Sequence, residues 1–182
     1  MYRSTLEERV DHAEAAIAVG AHYVDLADDR AFVTGISKLD AAARRAGVLV
    51  VSGASTVPGL SSAVIDEYLP QFGKLRRLRY GIVPANSFDP GVATTRSILG
   101  YVGRPVSTLR NRKSRQVFGW QNLTRHDFPG MGRRWLGACD IPDLDLFPAR
   151  YPDLETIDFG AGLDVGFMHL GLWGMSWLVR SG

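Results

Sequence analysis

VLVVSGASTVPGLSS, residues 48–62, is the stretch that decides how the rest of the chain is interpreted. Its first four residues, Val48 to Val51, are consecutive aliphatics, which predict a strand covered on both faces, as in a parallel sheet. Pro58 suits the first turn of a helix, where its missing N–H costs nothing. The apolar side chains that follow recur at helical spacing: Leu60, Val64 and Tyr68.

The polar turn between this strand and this helix is a candidate ligand site, formed by Ser52, Gly53, Ala54, Ser55 and Thr56. In an open α/β sheet, ligands bind beyond the carboxyl ends of the strands. Short Gly/Ser turns also occur for backbone geometry alone, and a serine or threonine here can cap the helix. Both interpretations stay open on the sequence alone.

Helices and strands alternate through residues 1–72. A helix is predicted over Ser4–Val19, a short strand over Ala21–Ala27, and a second helix over Arg30–Ala46 with Gly47 as its C-cap. Strands joined by helical crossovers imply parallel pairing and right-handed connections. The predicted fold class is therefore α/β in this part, a Rossmann-like sheet, and α+β overall.

The pattern changes after Gly73, and residues 73–182 are predicted to form a second, α+β lobe with a mixed sheet. In chain order the patterns predict a strand over Leu75–Val83, a turn over Asn86–Gly91, a helix over Ala93–Val102, one or two strands over Val106–Gln121, a loop over Arg125–Gly132, a strand over Trp135–Ala138, an acidic connector over Pro142–Pro152, a strand over Thr156–Leu163 and an apolar helix over Val165–Arg180.

Composition excludes several classes of protein. The chain of 182 residues is 46% hydrophobic and 22% charged, as in globular proteins. A net charge of +2 creates no field that demands nucleic acid or an anionic membrane. The single cysteine, Cys139, and four scattered histidines indicate neither a disulfide nor a metal site. This cysteine usage and the absence of a signal peptide in Met1–Val10 predict a cytoplasmic protein.

Three carboxylates follow the first predicted strand: Asp25, Asp28 and Asp29. They are expected on the same rim as Ser52–Thr56, where carboxylates and hydroxyls could orient a nicotinamide or a polar substrate. For Asp28 and Asp29, capping of the next helix is the favoured interpretation. Asp25 is the better functional candidate, because a carboxylate at a strand end has no obvious structural use.

Basic residues are concentrated between Arg104 and Arg134, where eight occur against one acid, Asp127. Aromatic side chains lie among them: Phe118, Trp120 and Trp135. This pattern fits a nucleic-acid surface or a non-catalytic binding module, but also a solvated hairpin face. The near-neutral chain favours the last of these, so no nucleic-acid partner is expected.

The predicted C-terminal helix is unusually apolar. Val165–Val179 contains one ionisable side chain, His169. Fifteen residues fall short of the ~20 needed to cross a bilayer. A buried or interface helix is the favoured interpretation, with His169 as a hydrogen-bonded core residue, and peripheral membrane association is the alternative.

Several segments resemble the saccharopine dehydrogenase-like NAD(P)-dependent oxidoreductases: AEAAIAVGAHYVDLADDRAFV, AGVLVVSGASTVPGLSSAVID, ILGYVGRP, RRWLGACDIPDLDLFPARYP and LGLWGMSWLVR. The resemblance implies that Gly20–Phe72 is the last part of a Rossmann domain and the remainder a substrate lobe. It implies hydride transfer between NAD(P) and an amino-acid-like substrate. It further implies cofactor contacts at Asp25 and Ser52–Ala54. Substrate contacts are implied at Ser55 and Thr56, and at Arg112 and Arg115, which would bind a carboxylate bidentately.

The chain departs from that family in one respect: it contains no GxGxxG. The pyrophosphate normally rests on the N–H groups of that loop and on the following helix. We therefore expect a fragment that does not bind NAD(P) tightly and is inactive by itself, with its catalytic residues unassigned. A strand edge left open before Tyr23 and the apolar C-terminal helix predict a homo-oligomer.

Overall fold

A computed structural model describes residues 2–84 and 91–182, so the predicted turn over 86–91 lies outside them except for Gly91. The described chain has a mixed α/β fold, as predicted. It divides into two compact units. Unit 1 consists of Met1–Gly73 and Ile141–Ala149, and unit 2 of Lys74–Asp140 and Arg150–Gly182. The segment Ile141–Ala149, which the sequence assigns to the second lobe, thus groups with unit 1.

Unit 1 alternates helices with two short strands. Its elements are α1 (Tyr2–Ala18), β1 (Tyr23–Val24), α2 (Arg30–Gly35), α3 (Asp40–Ala46), β2 (Val50–Val51) and α4 (Ser61–Tyr68), with α6 (Asp143–Arg150) in the returning segment. Shorter helical turns cover Ile36–Leu39, Thr56–Leu60 and Leu69–Gln71. β1 and β2 pair in parallel, as predicted. The core is small: Ala27, Phe32 and Val33, with Val10, Ile36 and Leu146 packed against them.

The single helix predicted over Arg30–Ala46 is wrong, because it is divided between α2 and α3. Gly35 ends α2, and the hydroxyl of Thr34 donates to the carbonyl of Arg30 at 2.7 Å. Glycine and such back-bonding hydroxyls both weaken a helix, which explains the tighter turn between the two pieces. Gly47 caps α3 in the left-handed region, with φ 66°, as predicted.

The apolar surfaces predicted to be covered in unit 1 are open. β2 is half-buried, Leu49 is 59% exposed and Val24 of β1 is 61% exposed. The prediction of a strand covered on both faces is therefore wrong, since the sheet has two strands in the described part of the chain. The apolar stripe of α4 is exposed as well: Leu60, Val64 and Tyr68.

Unit 2 is built on a curled mixed sheet. It contains β3 (Arg77–Ile82), α5 (Gly91–Gly100), β4 (Pro105–Arg110), β5 (Lys113–Phe118), β6 (Thr124–Phe128), β7 (Gly132–Ala138), β8 (Thr156–Ala161) and α7 (Gly166–Ser181). The strand order is β3-β8-β7-β6, with β3 and β8 parallel and the other pairs antiparallel. β4 and β5 form a separate hairpin that packs on β8.

Two segments predicted to lack regular structure are regular. The loop expected over Arg125–Gly132 is β6 and the turn into β7, in which Gly130 and Gly132 have φ of 75° and 71°. The connector expected over Pro142–Pro152 contains the helix α6. Proline before an acidic first turn is a helix-start signal, but Pro148 inside the segment hid it.

Of the one or two strands predicted over Val106–Gln121, the structure has two, which form the hairpin β4–β5. Asn111 and Arg112 both have positive φ, as a two-residue turn matched to the strand twist requires. Two hydrogen bonds fix the hairpin on β8: the Thr108 hydroxyl donates to the Ile157 carbonyl at 2.7 Å, and the Asn111 N–H donates to the Thr156 hydroxyl at 3.1 Å.

Trp120 is the centre of the core of unit 2. It is 1% exposed, and its indole N–H donates to the Ile98 carbonyl at 3.0 Å. Its backbone N–H donates to the Ala138 carbonyl at 2.7 Å. Its ring meets that of His169 edge-on, with the centroids 5.4 Å apart. One side chain thus joins α5, β7 and α7.

α7 is anchored along one side and open along the other. His169 and Ser176 are fully buried, whereas Phe167 and Leu178 are 78% and 74% exposed. Of the two favoured interpretations, complete burial is therefore wrong, and an interface helix stays a prediction. No helix in the described ranges has both the length and the apolar character needed to span a bilayer.

Replacement of Gly119 by alanine should destabilise unit 2 severely, because an added Cβ would overlap the backbone oxygen of Tyr101. Overpacking of this kind costs about 3 kcal/mol. The measurement is urea unfolding of the whole chain. The matched control is Gly100→Ala, where an added Cβ meets nothing within 4 Å. Equal stabilities for the two variants would contradict this packing.

The folded chain should also lose stability between pH 7.5 and pH 5.5 because of His169. Neither ring nitrogen of His169 has a hydrogen-bond partner, so the predicted hydrogen bond is wrong although the predicted burial is confirmed. Burial lowers the pKa of His169. The unfolded chain, in which histidine has a pKa of about 6.5, then binds the proton more readily, and stability falls as the pH drops through that value.

The measurement compares thermal unfolding of the wild type and His169→Phe at the two pH values. The variant keeps a ring against Trp120 and should show a flatter dependence on pH. His12→Gln, at an exposed position, is the control and should keep the wild-type slope. Identical slopes for His169→Phe and the wild type would show that this histidine does not titrate on unfolding.

Candidate functional site

The candidate site lies at the carboxyl ends of β1 and β2. The register of the pair, Tyr23 opposite Val50 and Val24 opposite Val51, brings Asp25 beside the turn that begins at Ser52. The backbone ladder extends to this point, since the Asp25 N–H donates to the Val51 carbonyl at 3.0 Å. The structure therefore brings together the carboxylate and the polar turn that the sequence placed on one rim.

One carboxylate oxygen of Asp25 holds the turn in place. Oδ1 accepts hydrogen bonds from the N–H of Ala27 at 2.9 Å, the hydroxyl of Ser52 at 2.9 Å and the N–H of Gly53 at 3.0 Å. Burial by itself would raise the pKa of Asp25, but the bonds from Gly53, Ala27 and Ser52 outweigh it and hold that pKa below its ordinary value. Asp25 is therefore an ionised structural residue, which corrects the expectation that it has no structural use.

Three backbone N–H groups of the turn are also occupied within the chain. Gly53 donates to the Asp25 carboxylate, Ala54 donates to the Asp25 carbonyl at 2.8 Å and Ser55 donates to the Gly53 carbonyl at 2.7 Å. A phosphate-binding turn needs such groups directed at its ligand. The turn cannot cradle a phosphate without losing the bonds that shape it.

Close packing around Gly53 also restricts the conformation of this turn. Gly53 has φ 76°, and a Cβ there would lie 2.7 Å from Cδ of Pro58 and 3.2 Å from a methyl group of Val33. Ser55 is the N-cap residue of the helical turn Thr56–Leu60, but its side chain makes no capping hydrogen bond, so the predicted capping role is wrong there. Ala54 and Thr56 are exposed and Ser55 is half-buried. These three residues form the accessible surface of the turn.

The other two candidate carboxylates of this rim are Asp28 and Asp29. The carboxylate of Asp29 accepts from the N–H of Phe32 at 2.8 Å and caps α2, as favoured from the sequence. Asp28 is exposed.

Sequence reasoning missed two polar contacts of α6. The Ser61 hydroxyl donates to Oδ2 of Asp143, which is fully buried, at 2.6 Å. The guanidinium of Arg30 pairs with the carboxylate of Asp145, with 2.6 Å between Nε and Oδ2. The Pro142-Asp143 helix start was the available signal, but the partners lie 82 and 115 positions away in the chain.

The predicted substrate arginines lie in unit 2, whereas Ser55 and Thr56 lie in unit 1. Arg112 is paired with Glu155, with 2.9 Å between Nη2 and Oε1. Arg115 is exposed. Other basic side chains of the interval 104–134 form ion pairs too: Arg110 with Asp158 at 2.8 Å and Arg134 with Asp164 at 2.7 Å.

The aromatic side chains of that interval do not form a stacking surface. Trp120 is buried. The guanidinium of Arg125 lies 4.7 Å from the ring centre of Trp135, and that of Arg180 lies 3.8 Å from the ring centre of Phe118. The interpretation of these rings as platforms for bases is therefore wrong for Trp120, and the other two already carry a cation of this chain.

The remaining features of the described residues do not indicate a second ligand or metal site. In the described residues no cluster of three or more His, Cys, Asp or Glu side chains could hold a metal ion. A cavity of about 390 Å³ opens in unit 1 beside Val10, Phe32 and Leu39. None of the predicted site residues lines it.

No protein family model and no curated protein matches the chain. Among solved structures it is similar to apo histidine-tagged saccharopine dehydrogenase (L-Glu forming) from Saccharomyces cerevisiae, with a TM-score of 0.56 and 16% sequence identity. The match covers 82% of this chain and 36% of that chain. The chain is thus distantly related in fold to saccharopine dehydrogenase and spans about a third of that protein's length.

Removal of the Asp25 carboxylate should destabilise unit 1. Asp25→Ala leaves the N–H groups of Ala27 and Gly53 without their acceptor and is expected to cost about 2–3 kcal/mol in the free energy of unfolding. Asp25→Asn keeps an acceptor oxygen and should cost about half as much. Urea unfolding at pH 7 measures both, because the carboxylate is fully ionised there.

Asp28→Ala is the matched control and should change stability by less than about 0.5 kcal/mol, since it removes an exposed carboxylate. The difference between wild type and Asp25→Ala should persist above about pH 4 and shrink as the pH falls through the lowered pKa of Asp25. A cost for Asp25→Ala no larger than that for Asp28→Ala would remove its structural role.

Proposed function

We propose that this chain is part of a saccharopine dehydrogenase-like oxidoreductase, and that its turn Ser52–Thr56 forms the nicotinamide side of a dinucleotide site. The observation that carries the proposal is the parallel pair β1–β2, which ends in a turn held rigidly by Asp25. The fold likeness to saccharopine dehydrogenase supports the same assignment. At a sheet of this type, ligands bind at the carboxyl ends of the strands.

The residues present fit one part of NAD(P) and not another. Ala54 and Thr56 offer an exposed, uncharged surface that suits contact with a flat ring. The N–H groups of Gly53, Ala54 and Ser55 are occupied, and the sequence contains no GxGxxG, so the pyrophosphate has no matching donors here. We therefore propose weak binding of NAD(P) and no turnover by this chain alone, and we derive no hydride-transfer step.

Of the two arginines of unit 2 that the sequence proposes for a substrate carboxylate, Arg115 is the better candidate. The guanidinium of Arg112 is already bonded to Glu155 through both Nε and Nη2, at 3.3 Å and 2.9 Å. A bidentate contact with a substrate carboxylate would have to replace that pair. Arg115 is exposed on β5 and retains its charge for such a contact.

NADPH should bind this chain with a dissociation constant weaker than about 10 μM, which corresponds to about −6.8 kcal/mol. The physical reason is the lack of donors for the pyrophosphate. Calorimetric titration gives the affinity, and amide NMR shifts at millimolar NADPH locate the contact. The largest shifts are expected at Ala54, Ser55 and Thr56.

Ala54→Glu should abolish these shifts by placing a negative charge on the proposed contact surface. Ala41→Glu introduces the same charge at an exposed alanine elsewhere in unit 1 and should leave them unchanged. Saturable binding tighter than 10 μM, or shifts outside the turn that Ala54→Glu leaves intact, would show that the dinucleotide uses a different surface.

A further inference from the structure

The outward side of α7 is an exposed apolar surface. Eight of its large side chains are at least 37% exposed: Phe167, Met168, Leu170, Trp173, Met175, Trp177, Leu178 and Val179. Together they expose on the order of 800 Å², about the area that each partner contributes to a standard protein–protein interface. A monomer rarely leaves a contiguous patch of this size uncovered.

The centre of this surface is formed by glycine. At 3.6 residues per turn, Phe167, Gly171, Gly174 and Leu178 follow one line along the helix. A Cβ added at Gly171 or Gly174 would meet nothing within 4 Å, so no contact within this chain requires glycine there. Each glycine costs a helix about 1 kcal/mol relative to alanine. What glycine offers instead is a place where another backbone can approach closely.

The order of residue sizes along this line is the same from either end of the helix: large, glycine, glycine, large. In an antiparallel pair of identical helices, residues whose numbers have a constant sum face each other. With the two-fold axis between Gly171 and Gly174, Gly171 faces Gly174 of the second copy and Phe167 faces Leu178 of the second copy. Leu170 and Met175 flank the glycines on opposite sides of this line. Bulky side chains therefore meet at the ends of the contact and glycines at its centre.

We propose that two copies of this chain pack α7 against α7 in this antiparallel register, as a two-fold dimer centred between Gly171 and Gly174. Such an isologous contact uses the same patch twice and is closed, which limits assembly to two copies. The open patch on each copy and the matching order of large and small residues favour a second copy over an unrelated partner.

Charge favours the antiparallel orientation. Residues 165–182 contain no acid, and Arg180 is their one basic residue besides the buried His169. The guanidinium of Arg180 lies against Phe118 and donates to Oε1 of Gln121 at 3.0 Å. An antiparallel pair places the two Arg180 side chains at opposite ends of the contact, whereas a parallel pair would bring them together. The helix dipoles also oppose each other favourably in the antiparallel pair.

A lipid surface accounts less well for these features. Helices that lie in a membrane interface carry several Lys or Arg residues on their polar side. α7 has Arg180 alone, and its other side contains the buried His169 and Ser176. Glycines along the outermost line would give up apolar contact with lipid, whereas they assist helix–helix approach.

Sedimentation equilibrium of the whole chain at micromolar concentration tests the proposal. Phe167→Glu and Leu178→Lys each bury one charge on each copy, two per dimer, opposite an apolar side chain and should weaken dimerisation by about 100-fold. The double variant places Glu opposite Lys twice in the proposed register and should restore most of the affinity. Val64→Glu, which adds a charge to an exposed apolar position in unit 1, is the control and should leave the dimer intact.

Cross-linking tests the register independently of those variants. In a Cys139→Ser background, Phe167→Cys mixed with Leu178→Cys should form a disulfide-linked pair under mild oxidation. Phe167→Cys alone should not, because its two copies lie about 16 Å apart along the helices in this register. A parallel dimer would reverse the second result.

A monomeric wild type, a dimer unaffected by both single charges, or a double variant weaker than either single one would overturn the proposal. So would binding of the monomer to vesicles of phosphatidylcholine and phosphatidylserine that Phe167→Glu abolishes, since the occupant would then be lipid. Dimerisation lost in both single variants and regained in the double variant supports the proposed register.

Discussion

The carboxylate of Asp25 is the group on which the candidate site depends. β1 and β2 are two residues long each, so their own backbone pairing fixes little of the chain beyond them. One oxygen of Asp25 accepts hydrogen bonds from Ser52 and Gly53 on the neighbouring turn, and from Ala27 in the segment that follows β1. Because hydrogen bonds to an ionised acceptor are roughly twice as strong as neutral ones, a single side chain can hold a turn that so short a sheet would leave loose.

The same arrangement limits what the turn can do. Each N–H from Gly53 to Ser55 donates within the chain, which makes the turn rigid but leaves it without donors for an anion. In a turn that binds phosphate, by contrast, the N–H groups are not used within the chain and are directed at the ligand. The ligand site that the composition SGAST predicts stays a prediction, and the occupied N–H groups of Gly53, Ala54 and Ser55 favour ligand contacts through side chains over contacts through the backbone.

How much the sequence could predict follows from the range of each interaction. The parallel pair, the basic hairpin and the helix caps at Asp29 and Gly47 are local patterns, and they were predicted correctly. The division of the predicted Arg30–Ala46 helix and the existence of α6 were not, because single glycines and prolines are ambiguous signals. The role of Asp25 was missed for another reason, since its partners Ser52 and Gly53 are 27 and 28 positions away and hydrogen bonds of that range leave no periodic trace.

Residue spacing and charge counts do not predict which side chains lie opposite a helix face or a basic residue in the folded chain. The apolar stripes of α4 and α7 were identified correctly as stripes, but spacing shows which residues share a face and not whether anything covers it. The basic residues near the hairpin are a run in the sequence but not all unopposed in the structure, because Arg110, Arg112 and Arg134 are paired with acids 30 to 48 positions away. With these three charges paired, the positive charge of this interval is lower than the count of eight basic residues suggests, whereas the outward side of α7 is apolar and exposed in the described chain. We therefore expect association of this chain to depend on apolar contact and shape complementarity more than on long-range electrostatic attraction.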